Sequence, residues 1–321
     1  MNQELLTVRV IHRQDEATGI TSFELASPDG GDLPPFTAGS HIDVHIAPGL
    51  VRQYSLFNSP EERHRYRVAV LREEHGRGGS AAMHEQVQAD HLLRISPPRN
   101  AFGLDRSASH SLLLAGGIGI TPILAMAESL AQAGESFSLD YCCRSKDRAA
   151  FLERLSQPDI ARLVRVHFDD GDFAQRFDLD ALLQAAPGNS HLYVCGPTGF
   201  MDFVIAKSQA ILPAASIHRE YFSASGKGAH SGDAPFEVRL ARSGLTFEVP
   251  ADKTIASVLS SNGVDVSLSC EQGVCGTCLV RVVSGIPDHR DTYLTAAERA
   301  ENREMTICCS RALTPVIEID L

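Results

Sequence analysis

Three domains are predicted for this 321-residue sequence: an antiparallel β-barrel over residues 1–105, an α/β domain with a parallel sheet over 106–223, and, after a linker at 224–235, a small α+β domain over 236–321. Three observations carry that prediction. Short alternating strands separated by Pro-Gly and Gly-Gly turns fill the first third, which is the pattern of a closed antiparallel sheet. Strands and helices alternate through the second third, which calls for parallel strands covered by helices. The small, Gly-rich stretch around Ser223-Ala224-Ser225-Gly226-Lys227-Gly228 then reads as a linker before a hairpin pattern and a cysteine-rich loop.

The elements follow in order. In the first block Leu5–Ile11, Thr21–Ala26, His41–Ile46 and Arg65–Leu71 read as strands. In the second, strand Ser111–Ala115 leads into helix Pro122–Ala133, followed by strand Phe137–Cys143, helix Ala149–Leu155, strand Val164–Phe168 and helix Leu179–Ala185. Strand His191–Cys195 and helix Gly199–Ala210 close the series, with His191–Cys195 as its last strand. In the third block Phe236–Ala241 and Leu245–Pro250 pair around Arg242-Ser243-Gly244. Helix Ile255–Ser261 precedes the cysteine loop, and strands Cys278–Ser284 and Pro315–Leu321 lie beyond it.

Composition excludes several partners. A formal charge of −11 argues against nucleic acid, which needs a basic face. No apolar run is long enough for a bilayer span; the longest, Ser111–Leu124, is interrupted by three glycines and a proline. The opening Met1-Asn2-Gln3-Glu4 lacks the basic start and apolar core of a secretory leader, so a reducing cytoplasm is the expected setting for the eight cysteines.

Four of those cysteines have a telling spacing. Cys270, Cys275 and Cys278 form C-x4-C-x2-C, and Cys308 follows after 29 intervening residues. A plant-type [2Fe–2S] cluster needs that arrangement, because each iron takes two thiolates and three of the four come from one tight loop. Gly273 and Gly276 suit a loop whose amides turn toward sulfur. Zinc loops usually pair their ligands two and two, which this three-plus-one pattern does not do. Cys308 and Cys309 are adjacent, and the spacing favours Cys308 as the fourth ligand.

Two glycine turns mark the second block. Gly116, Gly117 and Gly119 with Thr121 and Pro122 join a strand to a helix, where unpaired amides can meet a pyrophosphate. The run departs from G-x-G-x-x-G, since proline stands in place of the third glycine, and a purely structural turn is the competing reading. Cys195-Gly196-Pro197 ends a later strand, and ligands of open α/β sheets bind at such carboxyl ends. In the first block Arg52, Gln53, Tyr54 and Ser55 end a strand, offering a cation for phosphate, an aromatic face and a hydroxyl for a ring nitrogen. Gly76-Arg77-Gly78-Gly79-Ser80 then forms a basic turn into a helix at Ala81–Gln86.

Together these residues resemble the phthalate dioxygenase reductase family over nearly the whole chain. Arg52-Gln53-Tyr54-Ser55 is similar to its R-x-Y-S flavin motif, Gly76–Ser80 to its G-R-G-G-S phosphate turn, and Gly116–Pro122 and Cys195–Pro197 to its two nicotinamide signatures. Asp288–Asp291 and Cys308–Arg311 are similar to segments of its ferredoxin domain, where the ligand precedes x-S-R; this again selects Cys308. The tripeptide His289-Arg290-Asp291 also copies a kinase motif, but the asparagine and ATP loop that accompany it in kinases are missing, so an ion-paired loop is expected.

The resemblance implies FMN rather than FAD, an NADH-binding domain and a cytoplasmic enzyme passing electrons from NADH through FMN and the cluster to a separate terminal Rieske-type oxygenase. It places Ala69, Val70 and Leu71 beside Arg52–Ser55, Arg77, Gly78, Gly79 and Ser80 at the flavin. Ser55, Cys195 and Phe222 are expected at the reacting centre, Phe222 being the aromatic residue near the flavin with Glu220 beside it. Arg144, after strand Phe137–Cys143, keeps NADPH open as the coenzyme. Reductases serving a diiron monooxygenase or a cytochrome P450 are the alternative reading. Phthalate-like acids, methoxylated aromatics such as vanillate, and quaternary amines such as carnitine are all served by similar reductases.

Overall fold

Alternation in the first hundred residues produces a seven-stranded antiparallel sheet in the computed structural model, which describes residues 5–74, 76, 78–172, 176–222, 232–268, 271, 273, 274 and 276–321. Its strands are β1 (Leu6–Ala17), β2 (Ile20–Ala26), β3 (Ser40–Ala47), β4 (Leu50–Ser55), β5 (Tyr66–Leu71), β6 (Leu92–Ile95) and β7 (Arg99–Asn100). They run in the order β4-β3-β6-β1-β2-β5, with β7 on β3. The two ends of that path meet: Leu56 bridges Val68, and the Phe57 amide donates to the Arg67 carbonyl at 3.0 Å. Closure removes exposed edges, and Val8, Val10, Phe23, Leu25, Ile42, Val44, Tyr66, Val68 and Ile95 fill the interior. Helix α1 (Gly79–Gln86) lies between β5 and β6.

The second block is a five-stranded parallel sheet of β8 (His110–Gly116), β9 (Phe137–Cys143), β10 (Val164–Phe168), β11 (Ser190–Cys195) and β12 (Ile217–Glu220). Helices α2 (Ile120–Ala133), α3 (Leu152–Leu155), α4 (Leu179–Ala185) and α5 (Thr198–Ser208) connect them. The order β10-β9-β8-β11-β12 reverses direction at β8 and β11, which opens a crevice at their carboxyl ends.

The barrel and this sheet share one apolar core. Phe57 and Ala69 of the barrel pack in the same cluster as Leu113, Met126 and Phe151 of the sheet and its helices, and the Phe57 and Phe151 rings lie 4.6 Å apart. The chain therefore divides into two compact units: the first extends to Glu220 and the second spans Tyr221–Leu321.

In the second unit the expected hairpin forms as β13 (Phe236–Leu240) and β14 (Thr246–Val249), turning at Gly244 with φ +70°. After α6 (Ile255–Ser261) come β15 (Leu279–Ser284), β16 (Pro287–Asp288), α7 (Ala296–Glu301), β17 (Glu304–Thr306), β18 (Arg311–Ala312) and β19 (Val316–Ile319). The main sheet runs β14-β13-β19-β15-β17, and Thr254 and Ser257 cap α6 reciprocally. Arg311, with its side chain 2 % exposed, donates to the Lys253, Ala234 and Pro250 carbonyls, and Asp233 lies 3.3 Å away; a buried guanidinium needs such a full set of acceptors.

Three expectations need correction. Strand β12 follows β11, so His191–Cys195 is not the last strand of the α/β block. The helix expected over Ala149–Leu155 is reduced to Leu152–Leu155, because Phe151 takes a left-handed φ of +64° that interrupts a right-handed turn. Strands β6 and β7 were also absent from the sequence reading. Among the described residues no helix is long and apolar enough to cross a membrane.

Candidate functional site

At the carboxyl edge of the parallel sheet the two glycine turns touch. A Cβ on Gly119 would stand 2.3 Å from the Cys195 carbonyl oxygen, and one on Gly196 would stand 2.9 Å from the Gly116 Cα. Glycine is thus required there by packing of one turn on the other. Gly117 takes φ +51°, a Cβ there would meet open space, and its amide donates to the Cys143 sulfur. Thr121 is buried and donates to the Ile118 carbonyl at 3.1 Å, so its hydroxyl closes the turn. Pro122 is buried in the first turn of α2, where a missing amide costs nothing. Pro197 directly precedes α5.

The same edge collects side chains from the barrel. Ser55, the last residue of β4, donates from Oγ to Glu220 Oε2 at 3.2 Å. His41 Nδ1 lies 3.8 Å from Glu220 Oε1. Cys195 and Glu220 are paired across β11 and β12, and Cys195 is fully buried. Burial pushes the Glu220 carboxyl up to about 8, although the Ser55 hydrogen bond opposes the shift. The Cys195 thiol is driven well above its ordinary value, first by burial and then by the Glu220 carboxylate, so it is a neutral small residue rather than a thiolate nucleophile. The arrangement is a desolvated acid at neutral pH, able to hold or release a proton beside a hydroxyl.

The barrel wall next to it has unmet polar capacity. Gln53 Nε2 and Tyr54 Oη are buried and have no hydrogen-bond partner among the described residues. Such groups are costly unless a ligand satisfies them, and a flat polar ring system with a phosphate tail fits that need. Burial raises the Tyr54 phenol, which therefore stays protonated as a donor. Arg52 lies against Gly79, where an added Cβ would stand 2.4 Å from the arginine Cγ. Gly78 takes φ +79° before α1, and Ser80 Oγ accepts from the Glu73 amide at 3.0 Å. Ala69 and Val70 are buried on opposite faces of β5, one in each core of the first unit, and Leu71 packs partly buried beside Ala69's cluster. That leaves their backbone, more than their side chains, for a ligand. Arg77 lies outside the described residues.

The remaining sites are distributed. Arg144 follows β9 and is exposed, while neighbouring Ser145 spends its hydroxyl on Asp147 at 2.5 Å. Phe222 belongs to the second unit and is 37 % exposed. In that unit Cys278 and Cys308 are each 5 % exposed, and Cys270 and Cys275 lie outside the described residues. The Gly273 amide donates to Cys308 Sγ at 3.2 Å, the inward-turned amide a thiolate-held cluster requires. Gly273 and Gly276 have φ of +72° and +70°, and a Cβ on Gly276 would strike the Tyr293 ring at 2.3 Å. Asp291 braces the loop: it accepts from the Leu294 amide at 2.7 Å, and Arg299 lies 3.7 Å from its carboxylate. The His289–Asp291 tripeptide is thus part of an ion-paired support. Cys309 Sγ sits 3.2 Å from Thr306 Oγ1, and a Cβ on Gly273 would stand 2.3 Å from that sulfur.

The sequence points to Glu220 only as a neighbour of Phe222 and gives no sign of His41. Glu220 lies on a short polar strand that pairs through β11, and nothing local marks His41.

Comparison with known proteins agrees with this architecture. Residues 113–205 match the oxidoreductase NAD-binding domain, and residues 238–313 match the 2Fe-2S iron-sulfur cluster binding domain. The chain is 51 % identical over 315 residues to a vanillate O-demethylase oxidoreductase of Pseudomonas putida, covering 97 % of this chain and 98 % of that protein. The solved structure of phthalate dioxygenase reductase superposes with a TM-score of 0.80 at 39 % identity, covering 99 % of this chain and 98 % of that one. An intact type IV self-sufficient cytochrome P450 monooxygenase gives a TM-score of 0.82 at 37 % identity; there the match spans 99 % of this chain but 41 % of the other. The chain belongs to the phthalate dioxygenase reductase family: an NAD(P)H-dependent oxidoreductase with FMN and a [2Fe–2S] cluster, and the reductase component of an oxygenase system.

Proposed function

We propose that this reductase serves a separate terminal oxygenase of the Rieske type in the cytoplasm, with NADH as its electron source. The observation that carries the reading is the meeting of Ser55, Glu220 and Cys195 at the carboxyl edge of a nicotinamide-domain sheet, in a chain whose second unit matches a 2Fe-2S domain. When bound, FMN accepts electrons in pairs and gives them up singly, which lets a two-electron donor feed a one-electron cluster.

The chain's own residues supply the positions. Arg52 with Gly78, Gly79 and Ser80 would hold the phosphate, and Gln53 and Tyr54 would give their unused polar atoms to the flavin. Ser55 would hydrogen-bond the ring edge, with Glu220 keeping that hydroxyl oriented and holding a proton close by. Gly116–Gly119 and Cys195–Pro197 would receive the dinucleotide. Cys270, Cys275, Cys278 and Cys308 would ligate the cluster. A plant-type cluster has a potential near about −400 mV, low enough to reduce a Rieske centre. NADH is proposed on the family resemblance, with the exposed Arg144 after β9 as the residue that would favour a 2′-phosphate.

The fused P450 relative favours one second reading, electron delivery to a cytochrome P450. Reconstitution of the full chain with purified Rieske, diiron and P450 oxygenases decides between them. NADH-dependent product formation with the Rieske enzyme, at least about tenfold faster than with the others, is expected; turnover only with the P450 would replace the proposal.

A further inference from the structure

The edge of the parallel sheet opposite the glycine turns carries a second group of converging ligands. His191 lies near the start of β11, His218 near the start of β12, and Asp105 in the segment between the barrel and β8. His191 Nδ1 and His218 Nε2 are 3.0 Å apart, Asp105 Oδ2 is 3.7 Å from His191 Nδ1, and all three donor atoms lie within 4.8 Å of one another. We propose that Asp105, His191 and His218 form a binding site for a divalent zinc ion, distinct from the cluster and from the dinucleotide edge.

The donor set and its spacing fit the ion. Two imidazoles and one carboxylate leave a fourth tetrahedral position for water, and bonds of about 2.0–2.1 Å spread tetrahedral donors about 3.3 Å apart. The histidine pair is already near that separation. The larger gap belongs to Asp105, which is exposed and can close it by a small side-chain movement.

The supporting contacts fix each ligand. Asp105 Oδ1 accepts from the Ser107 amide at 2.9 Å, which leaves Oδ2 facing the histidines. The Asp105 amide donates to Tyr193 Oη at 2.8 Å, tying its backbone to β11. The Tyr193 and His218 rings stack with centroids 4.5 Å apart and planes 10° apart, setting the imidazole orientation. Supporting groups of this kind commonly change metal affinity by about 10–100-fold. Hydrogen bonds from Ser107 keep the Asp105 carboxylate ionised, and burial followed by His191 lowers His218, so it binds as neutral imidazole. A bound ion would fasten the segment leaving the barrel to the last two strands of the sheet.

The test uses the full, flavin- and cluster-loaded chain equilibrated with zinc chloride and desalted. Expected are one zinc per chain and a zinc X-ray absorption spectrum with nitrogen and oxygen scatterers at about 2.0–2.1 Å. His218→Gln and Asp105→Asn should each bind zinc at least about tenfold more weakly, with NADH–ferricyanide turnover and visible spectrum unchanged. A hydrogen-bonded imidazole pair that takes up no zinc overturns the site. So does a sulfur shell at about 2.3 Å, which would put the zinc on cluster thiols, or zinc retained at full affinity in both variants.

Discussion

One face of β11 and β12 carries different chemistry at its two ends. His191, Tyr193 and Cys195 alternate along β11, and His218 and Glu220 stand beside Tyr193 and Cys195 on β12. At the carboxyl end the Glu220 side chain is mostly buried, 13 % exposed, and its carboxyl rises to about 8. At the amino end an exposed Asp105 meets a buried His191 and a half-buried His218, and hydrogen bonds from Ser107 lower its carboxyl. Two carboxyls serving one pair of strands are thus set apart by solvent access. The protonated one suits proton handling and the ionised one suits a cation.

The largest effect that would break this contrast is kinetic. Ser55→Ala removes the hydroxyl bonded to Glu220 and should slow NADH-driven bleaching of the flavin by about tenfold, the equivalent of one hydrogen bond, with cluster absorbance retained. His218→Gln, at the other end, should stay within about twofold of the parent in the same stopped-flow trace, since it makes no contact with that hydroxyl. Equal slowing by both changes would dissolve the distinction.

A smaller effect lies in stability against pH. Folded, Glu220 keeps its proton to about pH 8, whereas unfolded it releases it near 4.5. The folded state therefore binds more protons between those values, and this group's contribution to stability, complete below pH 4.5, is lost as pH rises to 8. Glu220→Gln abolishes that slope. Its melting temperature should match the parent at pH 5 and exceed it by about 5 °C at pH 8, measured by differential scanning calorimetry.

The smallest effect lies midway. Tyr193→Phe deletes the acceptor of the Asp105 amide and should cost about 1 kcal/mol in denaturant unfolding. Zinc affinity should fall several-fold, and flavin reduction should be unchanged.

Much of this was legible in the sequence, for local reasons. Phe137–Cys143, Val164–Phe168, Leu179–Ala185 and Ile255–Ser261 form with the bounds their hydrophobic periods dictate. The cysteine spacing and the glycine turns are local signals too, because one loop must bend around one ligand. Strand β12 was not legible: Ile217-His218-Arg219-Glu220 is short and polar, and its pairing comes from β11 rather than from any period of its own. Phe151 shows the opposite failure, a helix-like run broken at a backbone angle that no residue type announces. His41 and Ser55 reach Glu220 across well over a hundred residues, so only the folded chain brings them together.

The apolar seam joining Phe57 to Phe151 has a consequence for how such reductases can be recombined. A graft that cut near residue 105 would split a continuous interior and expose its aromatic halves, whereas the cysteine-bearing module has a hydrophobic centre of its own. Chimaeras should therefore inherit the first 220 residues as an indivisible cassette, with the seat of exchange placed after Glu220.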